Sequence, residues 1–365
     1  MLTQTAVGVR VCITLLDDML KLYDAEEASI GAQAFDAGYD ILTEFIEQGL
    51  VPDIYEKFTI QDEIVTPHQT TLLKIVDSYL QSVQMNATTP ATLKTLKIHQ
   101  GLSPMLAKCF LDLSSYARSA VQRALRPPDQ AIHSASIAEV STDEEPITPR
   151  APQTLPPAEL DVMLPKVCEA LVLVTQCIVN ITLEADQGAQ RGEQGQERTT
   201  ETDLKALFNE THDSDNSGIV EGLIDLLRLL DLFLPRINFG KPVSSTPLSD
   251  EETQTPTQQT AADPTGFQYL KRDLVRLLGI LCHGVRSVQD QVRACGGIPV
   301  LMNLCVIDER NPYLREHAIF TLHCLLKNNK ENQAVVDDIK PTTEWDANGV
   351  LRNMSTSGST SALAR

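Results

Sequence analysis

The C-terminal part of the chain repeats itself when the sequence is shifted by 44 positions. At this shift apolar residues align with apolar residues, and one glutamine aligns with another. The matched pairs are Leu274 and Ala318, Val275 and Ile319, Leu278 and Leu322, Leu281 and Leu325, Gln289 and Gln333, and Val292 and Val336. A repeat of this length restricts the chain to architectures in which similar units stack on one another.

Each unit is predicted to contain three helices. A long apolar face runs from Phe267 to Leu281, a turn follows at His283-Gly284, and a short amphipathic helix ends at Gly296-Gly297. A further helix begins at Ile298-Pro299, because proline is well suited to the first helical turn. Three helices in such a unit are typical of armadillo repeats, whose neighbouring units bury one another's apolar faces. We therefore predict an all-α, armadillo-like helical repeat, or α-solenoid, with disordered insertions.

Upstream segments also show helical periodicity. Apolar residues recur at intervals of three and four in stripes that start at Val9, Leu106 and Leu160, which indicates helices with one core-facing side. The run from Ile219 to Leu234 is apolar nearly all round, so we expect that helix to be buried on several sides. Ser103 stands before a proline and is predicted to be the N-cap of a helix that starts there.

Polar stretches rich in Pro, Ser, Thr, Gln and acidic residues separate the helical blocks. None of them holds enough apolar surface to offset the entropy lost on ordering. The predicted organisation is an N-terminal helical armadillo-like region at 1–126, a disordered linker at 127–157, a helical region at 158–240 with a polar insertion near 185–202, a disordered linker at 241–266, a C-terminal armadillo-like domain at 267–341 and a disordered tail at 342–365. Such insertions suit a stacked array, because loops project from it without disturbing its core.

The charge balance argues against two classes of partner. The formal net charge is -19, which disfavours binding to nucleic-acid phosphates and to an anionic membrane surface. No apolar run reaches the roughly 18 residues of a membrane span, so we expect no membrane insertion. The eight cysteines include no Cys-x-x-Cys pair and most lie in apolar runs, so we interpret them as reduced thiols, which indicates a cytosolic or nuclear protein. Of these two locations we expect the cytoplasm.

The stretch from Tyr269 to Pro341 carries a set of motifs that resembles the C-terminal domain of the ataxin-10 family. In chain order the motifs are Lys271-Arg272-Asp273-Leu274-Val275-Arg276-Leu277-Leu278-Gly279, Gln289-Asp290-Gln291-Val292-Arg293, Gly296-Gly297-Ile298-Pro299, Asn303-Leu304-Cys305, Asn311-Pro312, Leu314-Arg315-Glu316-His317-Ala318 and Glu331-Asn332-Gln333. The long insertions are similar to those of fungal members, some of which are named copper transport proteins.

The resemblance implies a non-catalytic scaffold that binds other proteins and needs no cofactor. Animal members of the family are associated with cell survival, neurite growth and cytokinesis, and self-association is left open. The sequence itself contains no Ser-His-Asp, Cys-His or Walker-type motif, so we expect no enzyme.

Partner binding is expected on the face formed by the long third helices of the units. Arg276 and Phe320 correspond at the 44-residue shift, as do Ile280 and Cys324, and all four flank the core stripe. We predict that these four residues contact a protein partner; burial of some of them between units is the alternative. Importin-like armadillo proteins hold an extended peptide with asparagines late in this helix. Ile280 and Cys324 stand at those positions, which argues against that mode of binding here.

Copper handling is a second hypothesis, because Cu(I) prefers soft sulfur ligands. The candidate ligands in the repeat region are Met302, Cys305, Cys282-His283 and His323-Cys324. They do not recur in register, since Cys282 falls on Leu326 and His283 on Lys327. Core thiols and helix-end histidines are the simpler interpretation, and we assign no metal site.

Overall fold

A computed structural model describes most of the helical chain. The described residues are 4–86, 93–125, 161–191, 204–211, 217–238, 267 and 269–339, together with the short strand segments 241–243, 343–345 and 351–353. The predicted linkers at 127–157 and 241–266 lie almost entirely outside these residues.

Thirteen helices are present in the described ranges. They are α1 (Ala6–Leu22), α2 (Ile30–Glu47), α3 (Val51–Lys57), α4 (Pro67–Asn86), α5 (Leu93–Leu125), α6 (Leu164–Arg191), α7 (Leu204–Glu210), α8 (Ile219–Phe233), α9 (Leu270–Cys282), α10 (Arg286–Ala294), α11 (Gly297–Leu304), α12 (Leu314–Leu326) and α13 (Lys330–Asp338). Two antiparallel strand pairs join β1 (Arg236–Asn238) to β2 (Lys241–Val243) and β3 (Thr343–Trp345) to β4 (Leu351–Asn353). The predicted all-α class is confirmed.

Local sequence explains where several helices begin. Thr66 accepts a hydrogen bond from the Gln69 backbone N–H at 3.2 Å, and the Gln69 side chain accepts one from the Thr66 N–H at 2.9 Å. This reciprocal capping, with Pro67 as the first helical residue, fixes the start of α4. Ser29 caps α2 and Asn329 caps α13 through single side-chain hydrogen bonds.

The predicted helix start at Ser103 is wrong. Helix α5 begins ten residues earlier, at Leu93, and continues through Pro104. The Ser103 hydroxyl donates to the His99 carbonyl at 2.7 Å, so this side chain bonds back into the helix and does not cap it. Burial of the α5 apolar stripe, which includes Leu106 and Phe110, outweighs the local cost of the proline.

The helices stack in two layers. One row contains α4, α6, α9 and α12, each packed against the next. The second row contains α5, α8 and α11: α5 contacts α6 and α8, while α8 contacts α9 and α11. Side chains between the rows form the core, and α8 is buried on most sides, as its nearly uniform apolar composition predicts.

The 44-residue repeat is visible in the backbone. Helix α12 begins and ends 44 residues after α9, and α13 does the same relative to α10. The residue before each long helix, Tyr269 or Tyr313, is left-handed, with φ of 64° and 66°. The Gln289 side chain donates to the Cys282 carbonyl, and Gln333 donates to that of Leu326, the equivalent position. Both units therefore share one local geometry.

Helices α9 and α12 approach closely at a glycine. A Cβ added to Gly279 would lie 2.5 Å from Thr321 Oγ1, so no side chain fits there. The Thr321 hydroxyl donates to the Val275 carbonyl at 3.1 Å. Gly279 is therefore required by the contact between the two repeat units, since its own φ is not left-handed.

A helix and a pair of strands lie partly or wholly in segments that were predicted to be polar insertions or disordered. Helix α6 continues to Arg191, inside the polar insertion predicted near 185–202, and strands β3 and β4 lie inside the tail 342–365. Against the expectation of no long apolar run, Leu164–Ala185 of α6 is long and apolar enough to cross a membrane by length and composition. In the structure 72% of its apolar window is buried among other helices, as in a core helix.

Candidate interaction surface on the row of long helices

One side of the row α4, α6, α9 and α12 carries polar side chains, some exposed and some buried between neighbouring helices. We call this side the interaction face and define it by Lys74 and Asp77 on α4, Glu169, Gln176 and Asn180 on α6, Arg272, Asp273 and Arg276 on α9, and Glu316, His317 and Phe320 on α12. Adjacent helices are linked across it by polar contacts.

Hydrogen bonds and ion pairs connect the helices in order. Lys74 Nζ lies 2.7 Å from Glu169 Oε1, which joins α4 to α6. Asn180 also donates to Asp77 Oδ1, at 3.3 Å. Gln176 donates to Asp273 Oδ2 at 3.0 Å, which joins α6 to α9. These contacts fix the relative positions of the three helices beneath the surface.

The charged side chains of α9 form the centre of the face. Arg272 Nε donates to Asp273 Oδ1 at 2.7 Å, and the Arg272 guanidinium also lies over the Tyr269 ring, 4.3 Å from its centroid. Arg276 is half-buried between the groups of α4 and those of α12. Burial lowers the pKa of His317, and the positive charges of Arg276 and Arg272 lower it further. Burial and the two arginines therefore disfavour the protonated imidazole of His317, while the negative charges of Asp273 and Glu316 oppose them.

Asp77 is an unusual carboxyl. It is 7% exposed, and burial raises its pKa from the ordinary 3.8 to about 6. The hydrogen bond from Gln81 opposes this rise, the negative charge of Asp273 adds to it, and the positive charge of Arg276 opposes it. The face therefore carries a carboxylate whose charge depends on pH in the mildly acidic range.

Replacing Asp77 with asparagine is expected to stabilise the protein at pH 7.5 by about 1–2 kcal/mol. The folded-state pKa lies above the unfolded one, so ionised Asp77 costs stability above about pH 6 and costs nothing below about pH 4. The gain should therefore disappear as the pH falls to 4. Urea unfolding of both proteins at pH 7.5, 5.5 and 4 measures it; a gain that is equal at all three values would contradict this interpretation.

The four predicted partner-binding residues divide into two pairs. Phe320 is 55% exposed and Arg276 is half-buried, so both are accessible on the interaction face. Ile280 and Cys324 are 7% and 4% exposed. These two residues are therefore buried, which was the alternative to contact with a partner. The two members of each pair are related by the 44-residue shift and therefore share a position on their helix.

The sequence did not point to the other polar residues of the face. Asp77, Gln176 and Asn180 lie on α4 and α6, where no repeat is detectable, and their partners are distant in the chain. Gln176 and Asp273 are 97 residues apart, and Asp77 and Asn180 are 103 apart. One sequence feature could have pointed to these residues: a polar residue such as Asn180 lies inside the apolar stripe of α6, which suggests a buried polar contact.

The candidate copper ligands lie in different environments: two are buried, Met302 and Cys305 are partly buried, and His283 and His323 are exposed. Cys282 and Cys324 are buried, and burial raises the pKa of both thiols, which disfavours the thiolate that binds metal. All cysteines of the described residues are free thiols. Across the described ranges, no three His, Cys, Asp or Glu side chains are grouped as metal ligands.

The fold and this face together define an all-helical repeat protein whose stacked long helices present an extended polar surface. Comparison with known proteins shows what the C-terminal part of the chain is similar to. Residues 270–362 match the family described as the spinocerebellar ataxia type 10 protein domain. The C-terminal part of the chain is therefore similar to the ataxin-10 family.

Three relatives illustrate the similarity and its extent. The ataxin-10 homolog of Candida glabrata is 31% identical over 139 residues, which are 33% of this chain and 26% of the relative. That of Saccharomyces cerevisiae is 32% identical over 129 residues, 30% of this chain and 23% of the relative. Ataxin-10 of Xenopus tropicalis is 32% identical over 119 residues, which are 33% of this chain and 22% of the relative. The matched region thus spans about a quarter of the length of these relatives.

Proposed function

We propose that this protein is a non-catalytic scaffold of the ataxin-10 type that binds other proteins through the interaction face. The accessible pair Arg276 and Phe320, in register on adjacent repeat units, is the observation that supports the proposal. Arginine and aromatic side chains dominate the binding energy of protein interfaces, particularly where their surroundings are rigid. Both residues lie on packed helices. The backbone around them is therefore already ordered, and binding loses little conformational entropy there.

The setting of the two residues also favours recognition of a protein chain. Phe320 offers an exposed apolar side chain, and Arg276 offers a planar set of donors. Polar groups of four helices surround them, as in the rim of an interface. By extension from the family, we propose that the scaffold acts in the cytoplasm, in cytokinesis or cell-survival signalling. Neither the copper alternative nor self-association has a specific observation in its favour.

The test is affinity capture of the tagged full chain from a lysate of its own cells, compared with the double variant Arg276→Glu with Phe320→Ala. Loss of an interface centre of this kind is expected to reduce capture of specific partners at least about tenfold. The matched control is Arg10→Glu with Leu232→Ala, because both residues are exposed and lie on α1 and α8, away from the face.

Circular dichroism of each protein shows whether the helices persist. Partners lost only from the face variant would support the proposal, whereas equal loss from both variants would place binding elsewhere. Unchanged capture by the face variant would contradict the proposed surface.

A further inference from the structure

Helices α1 and α2 pack against each other along a line of close contacts. A Cβ added to Gly31, near the start of α2, would lie 3.4 Å from the side chain of Leu22 at the end of α1. A Cβ added to Gly38, further along α2, would lie 3.0 Å from the Met19 side chain and 3.5 Å from that of Leu15. The contacts run in opposite directions along the two helices, so α1 and α2 form an antiparallel hairpin.

Helix α2 has a second apolar side, next to this contact line. Four apolar residues recur at intervals of four, three and four and therefore lie on one side of the helix: Ile30, Ala34, Ala37 and Ile41. All four are exposed, Ile30 to 85% and Ile41 to 46%. The buried Leu42 lies on the opposite flank of the contact line. The exposed side of α2 is thus apolar and open to solvent in the described part of the structure.

Helix α1 adds two exposed valines beside that apolar side. Val7 and Val11 continue the stripe of Leu15 toward the start of α1 at intervals of four residues, and they are 74% and 54% exposed. The buried Cys12 and Leu16 lie on the other flank of Leu15. On both helices the exposed apolar residues therefore lie on the side of the hairpin that faces away from the core. They line a groove that we call the hairpin groove, defined by Val7, Val11, Ile30, Ala34, Ala37 and Ile41.

The shape of the hairpin groove suits a helix. Exposed apolar surface of this kind marks a contact site. Ile30 and Ile41 are eleven residues apart on α2, so the groove is roughly 17 Å long, the length of a helix of about 12 residues. A helix laid between two antiparallel helices buries apolar residues that are spaced by three and four. A strand would find no backbone partner there, because the N–H and C=O groups along α1 and α2 are bonded within the helices.

The hairpin around this groove is acidic. From Ala6 to Glu47 it carries nine carboxylates against two basic residues, Arg10 and Lys21, which is a formal charge of -7. Lys21 is already paired with Asp18, at 2.9 Å. Helix α2 itself contributes four of the carboxylates and no lysine or arginine. Such a field attracts a cationic partner and repels an acidic one.

The end of α2 strengthens this preference. Glu44 and Glu47 lie in its last turn, and no basic residue accompanies them. A helix C-terminus carries partial negative charge and is stabilised by cations, so two carboxylates there are unfavourable. Lys94 of α5 pairs with Glu47 at 2.6 Å, whereas Glu44 accepts a hydrogen bond from the neutral Gln48 and has no ion pair within the described residues. A lysine or arginine of a partner that lies beside Ile41 would neutralise Glu44.

We propose that the hairpin groove binds an amphipathic helix of a partner protein, with apolar residues in the groove and lysine or arginine along its rim. The apolar side of that helix covers Ile30 and Ile41, and its cations lie near Asp40 and Glu44. The groove is formed by α1 and α2, whereas the interaction face is formed by α4, α6, α9 and α12. This proposal therefore does not rest on the proposed function.

Fluorescence anisotropy with a labelled model helix tests the proposal on the full chain. The probe is a synthetic peptide of about 18 leucine and lysine residues, with the leucines spaced by three and four. One comparison peptide has the same residues in scrambled order, and another has glutamate in place of each lysine. The probe is expected to bind at least about tenfold more tightly than the scrambled peptide, because only its leucines form one side of a helix. The glutamate peptide is expected not to bind, since it meets like charge.

Substitutions locate the binding of this probe. Ile30→Ser with Ile41→Ser removes apolar surface without changing the charge and is expected to weaken binding at least about tenfold. The matched control is Leu232→Ser with Ile319→Ser, because both residues are exposed, to 62% and 52%, and lie on α8 and α12. The control is expected to bind the probe as the wild-type chain does. Circular dichroism verifies that each variant keeps its helices.

Asp40→Asn with Glu44→Gln tests the charged rim. This variant is expected to weaken binding at least about threefold at low salt, and the difference should shrink as salt screens the charges. Equal binding of the ordered and scrambled peptides would overturn the proposal, because bulk charge would then explain the binding. Binding that survives Ile30→Ser with Ile41→Ser would also overturn it. A dimer that dissociates in that same variant would overturn the partner helix and assign the groove to a second copy of the chain.

Discussion

Replacing Asp231 with alanine is expected to lower the free energy of unfolding by about 3–5 kcal/mol, because it leaves a buried lysine without its counter-ion. Lys271 has 1% of its side chain exposed and lies 3.3 Å from Asp231. Its other described partner is the Leu234 carbonyl, at 3.0 Å. A carbonyl satisfies one donor of the ammonium but does not neutralise its charge. Arg236, which also pairs with Asp231 at 3.3 Å, would lose its partner as well.

The loss should depend on pH in a defined direction. Burial lowers the pKa of Lys271, and the negative charges of Asp231 and Asp308 oppose this. Removing Asp231 should lower the pKa further. Because the folded chain then binds fewer protons than the unfolded one, stability rises with pH toward the ordinary lysine pKa of 10.5. The deficit of the variant should therefore be smaller at pH 9.5 than at pH 7.5.

Urea unfolding at both pH values measures the effect. Asp18→Ala is the control, since it removes the exposed pair between Asp18 and Lys21, which should add nothing measurable to stability. If Asp231→Ala and Asp18→Ala behave alike, Lys271 is not held by its counter-ion and the buried pair has no structural role.

Gln289→Leu is the second large effect, with an expected loss of about 2–4 kcal/mol, because several buried polar groups lose their partners. The Gln289 side chain donates to the carbonyls of Cys282, at 3.2 Å, and Cys324, at 3.0 Å. It also accepts a hydrogen bond from the Asn329 side chain at 3.1 Å. One amide thus connects both repeat units. Leucine has a similar volume but satisfies none of these groups.

The repeat itself supplies the control for this prediction. Gln333 is equivalent to Gln289 and makes the equivalent bond to the Leu326 carbonyl, at 2.7 Å, but it is exposed. Water can replace that bond, so Gln333→Leu is expected to change stability by about 0.5 kcal/mol or less. Thermal and urea unfolding of the two variants compare them directly. Equal losses of unfolding free energy in the two variants would contradict the prediction. The hydrogen bonds of Gln289 to the neighbouring repeat unit would then add nothing to the bond that both glutamines make within their own unit.

Much of the fold was predictable where the determinants are local. The 44-residue shift predicted that α9 and α12 are equivalent helices, and they are offset by 44 residues in the structure. The residues before them, Tyr269 and Tyr313, share the same left-handed backbone conformation. The start of α5 was not predictable from Ser103 and Pro104, because burial of the surrounding apolar stripe overrides the local signal of the proline. Local propensity is a weak guide where tertiary packing opposes it.

The interaction face was predictable only in part. Helix periodicity placed Arg276, Ile280, Phe320 and Cys324 beside the core stripe, but it does not state how closely the neighbouring helix approaches. The structure buries Ile280 and Cys324 and leaves Phe320 exposed. The polar contacts made by Asp77 and Gln176 depend on helices far apart in the chain, and no short-range pattern reports such pairings.

By itself, the sequence determined the helical class, the repeat unit with its turns, and the resemblance of the C-terminal part to a known family. These follow from hydrogen bonds and side-chain spacing within a few turns of helix, and from motifs inside one unit. The tertiary structure alone decided which helices are neighbours, which side of α9 is covered and which polar groups meet across the row. Those outcomes depend on contacts between distant residues, such as Gln176 with Asp273, whose free energy appears only once the helices are packed.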